Sequence, residues 1–545
     1  MARNTIGFFN QLRTRANVVL GEGTDVQRIE NTVILDFNDF SRGLNVSVPA
    51  DRVPDGFVSA VRDFSINEQS QLVRVPGVVL EESFAAAARV PKEMFVLGNP
   101  ATGLAELVFI DGAFLGIRGP LGGATVWTNA GLPAGFEWAT CVHGDELILT
   151  NGAGSTFKKQ PLATAVISLG HGPARAVMSF AGRVFSGGAV DGGTYIPMGI
   201  TWTGSSSLPN DLGPGSGFEE LLDDTSNGDM IVAMRSLNFD TAAILTRNAV
   251  WLARRTGDAN RPADFAPVVG GFGALTNATV VRVPGGIAYL SQRDVIVFDG
   301  NTPQSISLQI NSALFPINTS KLAEYSLNYV ESRHVLQVAT PIALYEYSFT
   351  YQRWLCNSLQ VRRIVNLGTD FVSMSGTMLG SSSNVGGWGN SWGLAWGIKR
   401  PGGGGGDGST ARTLDTTIFL QANRIGRESV AASTFFGIPI VPVVDTQLQQ
   451  AQSLDTVTGI KRFIIQYSGE GGLVQISVPN YSGDWQVVRT VLLPAATTPR
   501  TRSFISRVTG TLLGLRVSLL SGSVAIGRLQ AEVEMRSVDR QGGGR

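Results

Sequence analysis

The sequence predicts an all-β protein: a β-propeller of six or seven blades, followed by a C-terminal β-sandwich-like platform domain. Three observations carry this. Short apolar runs alternate with turn dipeptides along most of the chain, the turns recur at a regular interval, and a stricter period-two alternation takes over after a glycine-rich stretch. Helical periodicity is scarce; the best candidate is residues 316–326, PINTSKLAEYS, with Asn318 or Thr319 as its cap.

The hairpins can be read in order. Residues 107–110 are followed by Asp111-Gly112 and then 113–117, two strands with their turn dipeptide in place. Residues 146–149 precede Thr150-Asn151-Gly152, and 287–290 turn through Gln292-Arg293-Asp294 into 295–298. Residues 334–339, 342–347 and 353–357 give three more strands. Turns fall near Asp111, Gly144, Gly182, Asn248, Arg293, Ser332 and Gly376, a mean step of about 44 residues, which matches the roughly 40–50 residues of one propeller blade. The step from Gly182 to Asn248 is long because residues 187–228, rich in Gly, Ser, Pro and Asp, form an insertion on a blade. Residues 401–408, PGGGGGDG, cannot pack a core and read as a linker. Beyond them Val474, Ile476 and Val478 alternate with polar residues, as do Leu515, Val517 and Leu519, and then Leu529, Ala531 and Val533, giving strands with one wet and one buried face. The expected partition is an arm at 1–32, a β segment at 33–85, the propeller at 86–385, a Gly/Trp-rich linker at 386–411 and a C-terminal β domain at 412–545.

Composition excludes several functions. Forty-three basic residues balance forty-three acidic ones, so no whole-chain field attracts nucleic acid or an anionic membrane. Polar residues interrupt every apolar run in residues 1–20, and no run of 18 apolar residues occurs anywhere, so neither a signal peptide nor a spanning helix is expected. Phosphate-loop, nucleophile-elbow, zinc-protease and EF-hand signatures are missing, and no catalytic residue, metal site or cofactor is expected. Cys141 and His143 lie two apart on one strand face, where two ordinary strand residues are the simpler reading than a zinc site. Cys356, beside Trp354 and Leu355, reads as core. Asp223-Asp224 reads as a solvated loop. Trp388, Trp392 and Trp396, in GGWGNSWGLAWG, are either an aromatic contact surface or anchors pinning a long loop. Phe8 and Phe9 of the arm either anchor on a neighbour or pack on their own domain.

Residues 36–77 change the reading. In DFNDFSRGLNVSVPADRVPDGFVSAVRDFSINEQSQLVRVPG, Phe40, Gly43, Leu44 and Asn45 are followed by Pro49 and then by Val53-Pro54-Asp55-Gly56. Ala60 and Arg62 come next, and Leu72, Arg74, Pro76 and Gly77 close the run. Pro54-Asp55-Gly56 and Pro76-Gly77 are ordinary turn chemistry taken singly. Their order resembles the opening of the nozzle or hub proteins of short-tailed phages, the tail tubular protein B-like or tail stabilisation family. Asp63, where asparagine is usual, and Val75, where a basic residue is common, depart from it. Residues 285–304 resemble the family's blade, and Tyr351-Gln352-Arg353-Trp354 its aromatic–basic–Trp strand, so the resemblance covers about 36–357.

The resemblance implies a structural virion protein rather than an enzyme, located in the tail and made in the host cytoplasm. It implies a six-fold ring below the portal-adaptor protein, a channel and gate for the ejected genomic DNA, and a docking platform for tail fibres or spikes. A spike-adaptor or baseplate-type virion protein, or a glycan-binding or glycan-cleaving propeller, is the alternative. The insertion at 187–228, the arm and the C-terminal domain are the candidate ring contacts.

Overall fold

The computed structural model describes residues 32–367 and 416–537, with breaks at 38–39, 50–51, 54–56, 68, 85–88, 100–103, 120–123, 134–136, 171, 192, 205–212, 223–227, 269–271, 422–423, 430–431, 447–448, 451–455, 480–483 and 511. Two compact units emerge, and they interleave along the chain. One gathers residues up to Pro76, Tyr345–Ser358 and Pro439 onward; the other gathers Gly77–Leu344 and Leu359–Ile438.

The second unit is the propeller. Five four-stranded antiparallel sheets follow one another in chain order, the first made of Glu93–Asn99, Leu104–Asp111, Phe114–Arg118 and Val126–Asn129. The next four begin at Ala139–His143, Ala176–Phe180, Ile231–Ser236 and Val280–Val283. The sixth blade enters this unit as the hairpin of Ser326–Val330 with Val335–Ala339. A composite sheet completes the circle. In it Arg363–Leu367 pairs with Thr416–Gln421, which pairs with Arg424–Ser429, which pairs with Gly77–Ser83 from the opposite end of the unit. Its innermost strand, Arg363–Leu367, packs on Ser326–Val330 of the sixth blade and on Glu93–Asn99 of the first.

Blades pack face to face, so their inner strands are buried on both sides and read as continuous apolar runs instead of alternating ones. Ala176–Phe180 and Gly286–Leu290 are buried throughout, while outer strands such as Gln304–Ser305 are exposed. Phe185, Trp202, Ile244 and Trp251 fill the space between the third and fourth blades, and Leu245, Tyr289 and Phe298 that between the fourth and fifth. Phe84, Phe109, Ile418 and Leu420 join the composite sheet to the first blade. The expected helix at 316–326 is a 3₁₀ helix, Thr319–Glu324, and Asn318 caps it by accepting the Ser320 N–H at 3.1 Å.

The other unit is built on two long strands, Thr456–Pro479 and Arg516–Ser537, paired antiparallel from Thr456↔Ser537 to Ser477↔Arg516. Ala496–Gly510 flanks the first half of Thr456–Pro479 and Trp485–Leu493 the second. Thr32–Phe37 and Val443–Asp445 flank the two halves of Arg516–Ser537. The expected sandwich is thus one nine-stranded sheet whose long strands run through both halves. Register shifts near Gln466/Tyr467, Gly469/Gly471 and Leu473/Val474 curl it. Glycines make the bend sterically possible: a Cβ on Gly472 would lie 2.3 Å from the Ser521 carbonyl oxygen, and one on Gly522, at φ +87°, 2.2 Å from that of Gly471. The curl buries Phe463, Ile465, Tyr467, Ile476, Val517, Ile526 and Ala531 on one face.

The units do not run in series as the sequence expects. Strands Thr416–Gln421 and Arg424–Ser429 fall in the propeller unit, and the residues up to Pro76 fall in the unit of the C-terminal sheet, where Thr32–Phe37 pairs with Arg516–Ser537. The glycine- and tryptophan-rich stretch leaves one strand of the composite sheet and returns to its neighbour, Leu367 pairing with Thr416, so its two flanks lie side by side. Gly522→Ala is expected to destabilise the curled sheet by about 1–3 kcal/mol, the cost of a strained left-handed residue, and to lower its melting transition in calorimetry while leaving the propeller transition in place.

Candidate functional site

Among the places where polar or motif residues meet, two bear on the sequence reading and on blade closure, one in each unit. In the first, residues 40–75 close around Arg353–Ser358. The strand Gly43–Leu44 pairs in parallel with Phe57–Val58 and, through Gly43, with Trp354. Gly43 has φ +73°, and a Cβ there would sit 2.5 Å from the Trp354 carbonyl oxygen, so the contact requires glycine. Trp354 is fully buried, with the Tyr347 ring 5.0 Å away. Arg353 donates to the carbonyl oxygens of Ser41 at 3.3 Å and Ile66 at 2.6 Å, and its guanidinium lies 4.3 Å from the Tyr351 ring.

Asp63 completes the clasp. Its backbone N–H donates to the Cys356 carbonyl and its own carbonyl accepts the Val75 N–H. Its carboxylate accepts the Ser358 N–H at 2.6 Å and the Ser358 hydroxyl at 2.9 Å. With φ +62° it stands in the left-handed region, where Asp and Asn are tolerated best. Burial holds its carboxyl above the ordinary carboxylate range, against the pull of the Ser358 hydrogen bonds and Arg62.

The remaining motif residues fall as follows. Phe40 and Leu44 are buried; Asn45 is buried and accepts from the Ser47 N–H and hydroxyl. Arg74 donates to the Gly522 carbonyl at 3.1 Å. Pro76 ends one unit's segment and Gly77 opens the other's, where a Cβ would lie 2.6 Å from the carbonyl oxygens of both Ala432 and Thr434. Pro54, Asp55, Gly56, Phe8, Phe9, Trp388, Trp392 and Trp396 lie outside the described residues, as does Asp223-Asp224.

The second place is the propeller axis, and sequence reading missed it. Arg363, at the start of the composite sheet's innermost strand, grips Glu93 of the first blade with two bonds of 2.6 and 2.8 Å. It reaches Glu137, ahead of the second blade, at 3.4 Å and donates to the Ala323 carbonyl, ahead of the sixth, at 2.7 Å. Glu137 in turn accepts the backbone N–H groups of Ala278 at 2.9 Å and Asn277 at 3.1 Å, which lead into the fifth blade. Arg235 of the fourth blade donates to the carbonyls of Met234 and Asn277. Burial opposes the charge on Arg363, but Glu93 and Glu137 outweigh it and raise its pKa. Glu137 is pushed up by burial, against the pull of Arg363. The one visible signal was a charge interrupting an apolar inner strand, as in Glu93-Met-Phe-Val and Arg362-Arg363-Ile-Val.

The cluster ties blades together; nothing in it forms an activated nucleophile. Burial pushes the Cys141 and Cys356 thiols up to about 12, so neither is a thiolate near neutral pH. His143 shares a hydrogen bond of 2.7 Å with the Ser179 hydroxyl. Among the described residues no group of three His, Cys, Asp or Glu side chains could hold a metal ion, and no helix is long and apolar enough to cross a membrane.

No family model and no curated protein matches the chain. Solved structures with similar folds include the β-propeller domain of Cps50 (Swd1) from Myceliophteria thermophila, at 8% identity and a TM-score of 0.36 over 65% of this chain and 100% of that one. BamB from Moraxella catarrhalis is similar at 12% identity and a TM-score of 0.33, covering 56% and 91%. The extracellular domain of a hybrid two-component system from B. thetaiotaomicron is similar at 10% identity and a TM-score of 0.30, covering 57% of this chain and 50% of that one. This chain thus spans half the length of the last. The propeller assignment rests on the sheets described above.

Two substitutions test these places. Arg363→Met strands buried carboxylates and is expected to cost the propeller about 3–5 kcal/mol, read as a lowered propeller transition in calorimetry. Asp63 binds its proton more tightly folded than unfolded, so protonation adds stability as pH falls through the raised pKa, and the ionised form penalises the fold at neutral pH. Asp63→Asn keeps the turn and removes that penalty. Its melting temperature is expected to exceed the wild type's at pH 7, with the difference narrowing toward pH 4.

Proposed function

We propose that the chain is a structural virion protein of a phage tail: one subunit of a nozzle or hub ring below the portal-adaptor, surrounding the passage for DNA and carrying fibres or spikes. One observation carries the reading. The two sequence pieces of the resemblance that lie farthest apart, the front motif and Tyr351-Gln352-Arg353-Trp354, pack onto each other through the Gly43–Trp354 pairing and the bonds from Arg353 to Ser41 and Ile66. Residues spaced for chance turn chemistry have no reason to meet in one clasp; residues of a single structural element do. Balanced charge also suits a passage, because a wall that gripped phosphate strongly would retard sliding DNA.

The test is immunogold electron microscopy of purified particles with an antibody against the chain, together with quantitative mass spectrometry of its copy number. The reading expects label on the tail axis below the portal vertex and six copies per particle. Label at the tail periphery points to a spike-adaptor instead, and particles without the chain overturn the virion assignment.

A further inference from the structure

The axial cluster of the propeller holds more positive charge than its carboxylates balance. Arg363 bonds to Glu93 and Glu137, Arg235 lies near Glu137, and Arg362 stands in the field of Arg363, Glu93, Glu137 and Glu324. Glu324 is shared with Lys321, at 3.7 Å. In this network Arg235, Arg362, Arg363 and Lys321 therefore face only Glu93, Glu137 and Glu324. Cys141, near Arg235, stays a neutral thiol and adds no charge. Burial and the neighbouring Arg363 hold Arg362 below the usual guanidinium range, and burial does the same to Arg235. A buried surplus cation is costly unless an anion pairs with it.

Three side-chain atoms of the same cluster are buried and have no hydrogen-bond partner among the described residues: Nε of Arg362, Oγ of Ser326 and Oδ1 of Asn277. Ser326 is 2% exposed and Asn277 7%. The bonds of Arg363 bring the three residues into one neighbourhood. Arg362 precedes Arg363, which reaches Glu137 and donates at 3.5 Å to the carbonyl of Tyr325, the residue before Ser326. Glu137 accepts the Asn277 N–H, and the turn Asn277–Thr279 packs on the strand Ser326–Val330.

The three atoms make unequal demands. Arg362 Nε can only donate, and it is charged. Asn277 Oδ1 can only accept, because Nδ2 of the same amide donates to the Trp138 carbonyl. The Ser326 hydroxyl does either. A ligand that completes the set must accept at one point, donate at another and bring negative charge. Water supplies the hydrogen bonds without the charge. A halide, or sulfate with no proton at neutral pH, supplies the charge but has nothing to donate. Inorganic phosphate at neutral pH keeps at least one P–OH beside its anionic oxygens and meets all three demands.

We propose that the axial cluster is a binding site for inorganic phosphate, whose anionic oxygens accept from Arg362 and Ser326 and whose P–OH donates to Asn277. Asn277 leads into the fifth blade, Ser326 opens the inner strand of the sixth, and Arg362 precedes the closing strand Arg363–Leu367. The bound ion joins these three places and reinforces closure of the propeller. This site does not depend on the virion reading.

The test is calorimetry on the full-length chain. Isothermal titration with sodium phosphate at neutral pH, with ionic strength held constant by sodium chloride, is expected to show saturable binding at a single site, and sulfate to bind at least about tenfold more weakly. Phosphate also stabilises folds generally by exclusion from their surfaces, so scanning calorimetry separates the two effects: occupancy raises the propeller transition beyond any shift in that of the curled sheet. Arg362→Gln is expected to raise the phosphate dissociation constant about tenfold or more. Ser326→Ala, which removes one hydroxyl, is expected to do the same with unchanged circular dichroism, and it serves if Arg362→Gln fails to fold. Lack of saturable binding, binding indifferent to both substitutions, or sulfate bound as tightly as phosphate overturns the proposal. So does a crystal structure grown in phosphate that shows ordered water alone at the three atoms. None of these results bears on the virion assignment, which is decided in particles.

Discussion

The propeller depends on one backbone ladder. Gly77–Ser83 pairs with Arg424–Ser429, residues roughly 350 apart in the chain, and without that ladder the composite sheet has no outer strand from the start of the unit. Closing a loop of that size costs about 5 kcal/mol of chain entropy beyond a constant. The ladder's hydrogen bonds and the apolar layer of Phe84, Phe109, Ile418 and Leu420 offset it. Arg363 then locks the closure from the axial side, since one guanidinium holds a carboxylate of the first blade, a carboxylate leading to the second and a carbonyl leading to the sixth.

Closure also explains the interleaved units. A chain that uses an early strand to finish its propeller leaves the residues before that strand outside the propeller unit. Residues just before Gly77 fold with the C-terminal sheet and residues just after it fold with the propeller. Pro76-Gly77, expected from the sequence to be a turn, instead marks a change of unit and the start of the strand Gly77–Ser83, and Gly77 has no room for a side chain between Ala432 and Thr434.

The motif that first suggested a family has a physical content apart from any family. Gly43 permits a close backbone approach to Trp354, Asp63 takes a left-handed turn and caps Ser358, and Arg353 satisfies two carbonyls of the segment that wraps it. Asp63 accepts the Ser358 N–H and hydroxyl with its two carboxylate oxygens, at the price of burying a charge.

The sequence by itself determined the local structure. Turn dipeptides such as Asp111-Gly112 dictate hairpins, apolar runs dictate strands buried on both faces, and alternation at 529–533 dictates a strand buried mainly on one, because these depend on neighbours a few residues away, whereas at 474–478 the polar Ser477 is buried along with its apolar neighbours. Tertiary structure alone decided which strands share a sheet. A linear reading put a boundary at the glycine-rich stretch, but Leu367 and Thr416 on either side of it are partners, and nothing local encodes a pairing across such a distance. The axial cluster was hidden for the same reason: Glu93, Glu137, Arg235 and Arg363 are spread over four parts of the chain, and only closure of the ring makes them neighbours.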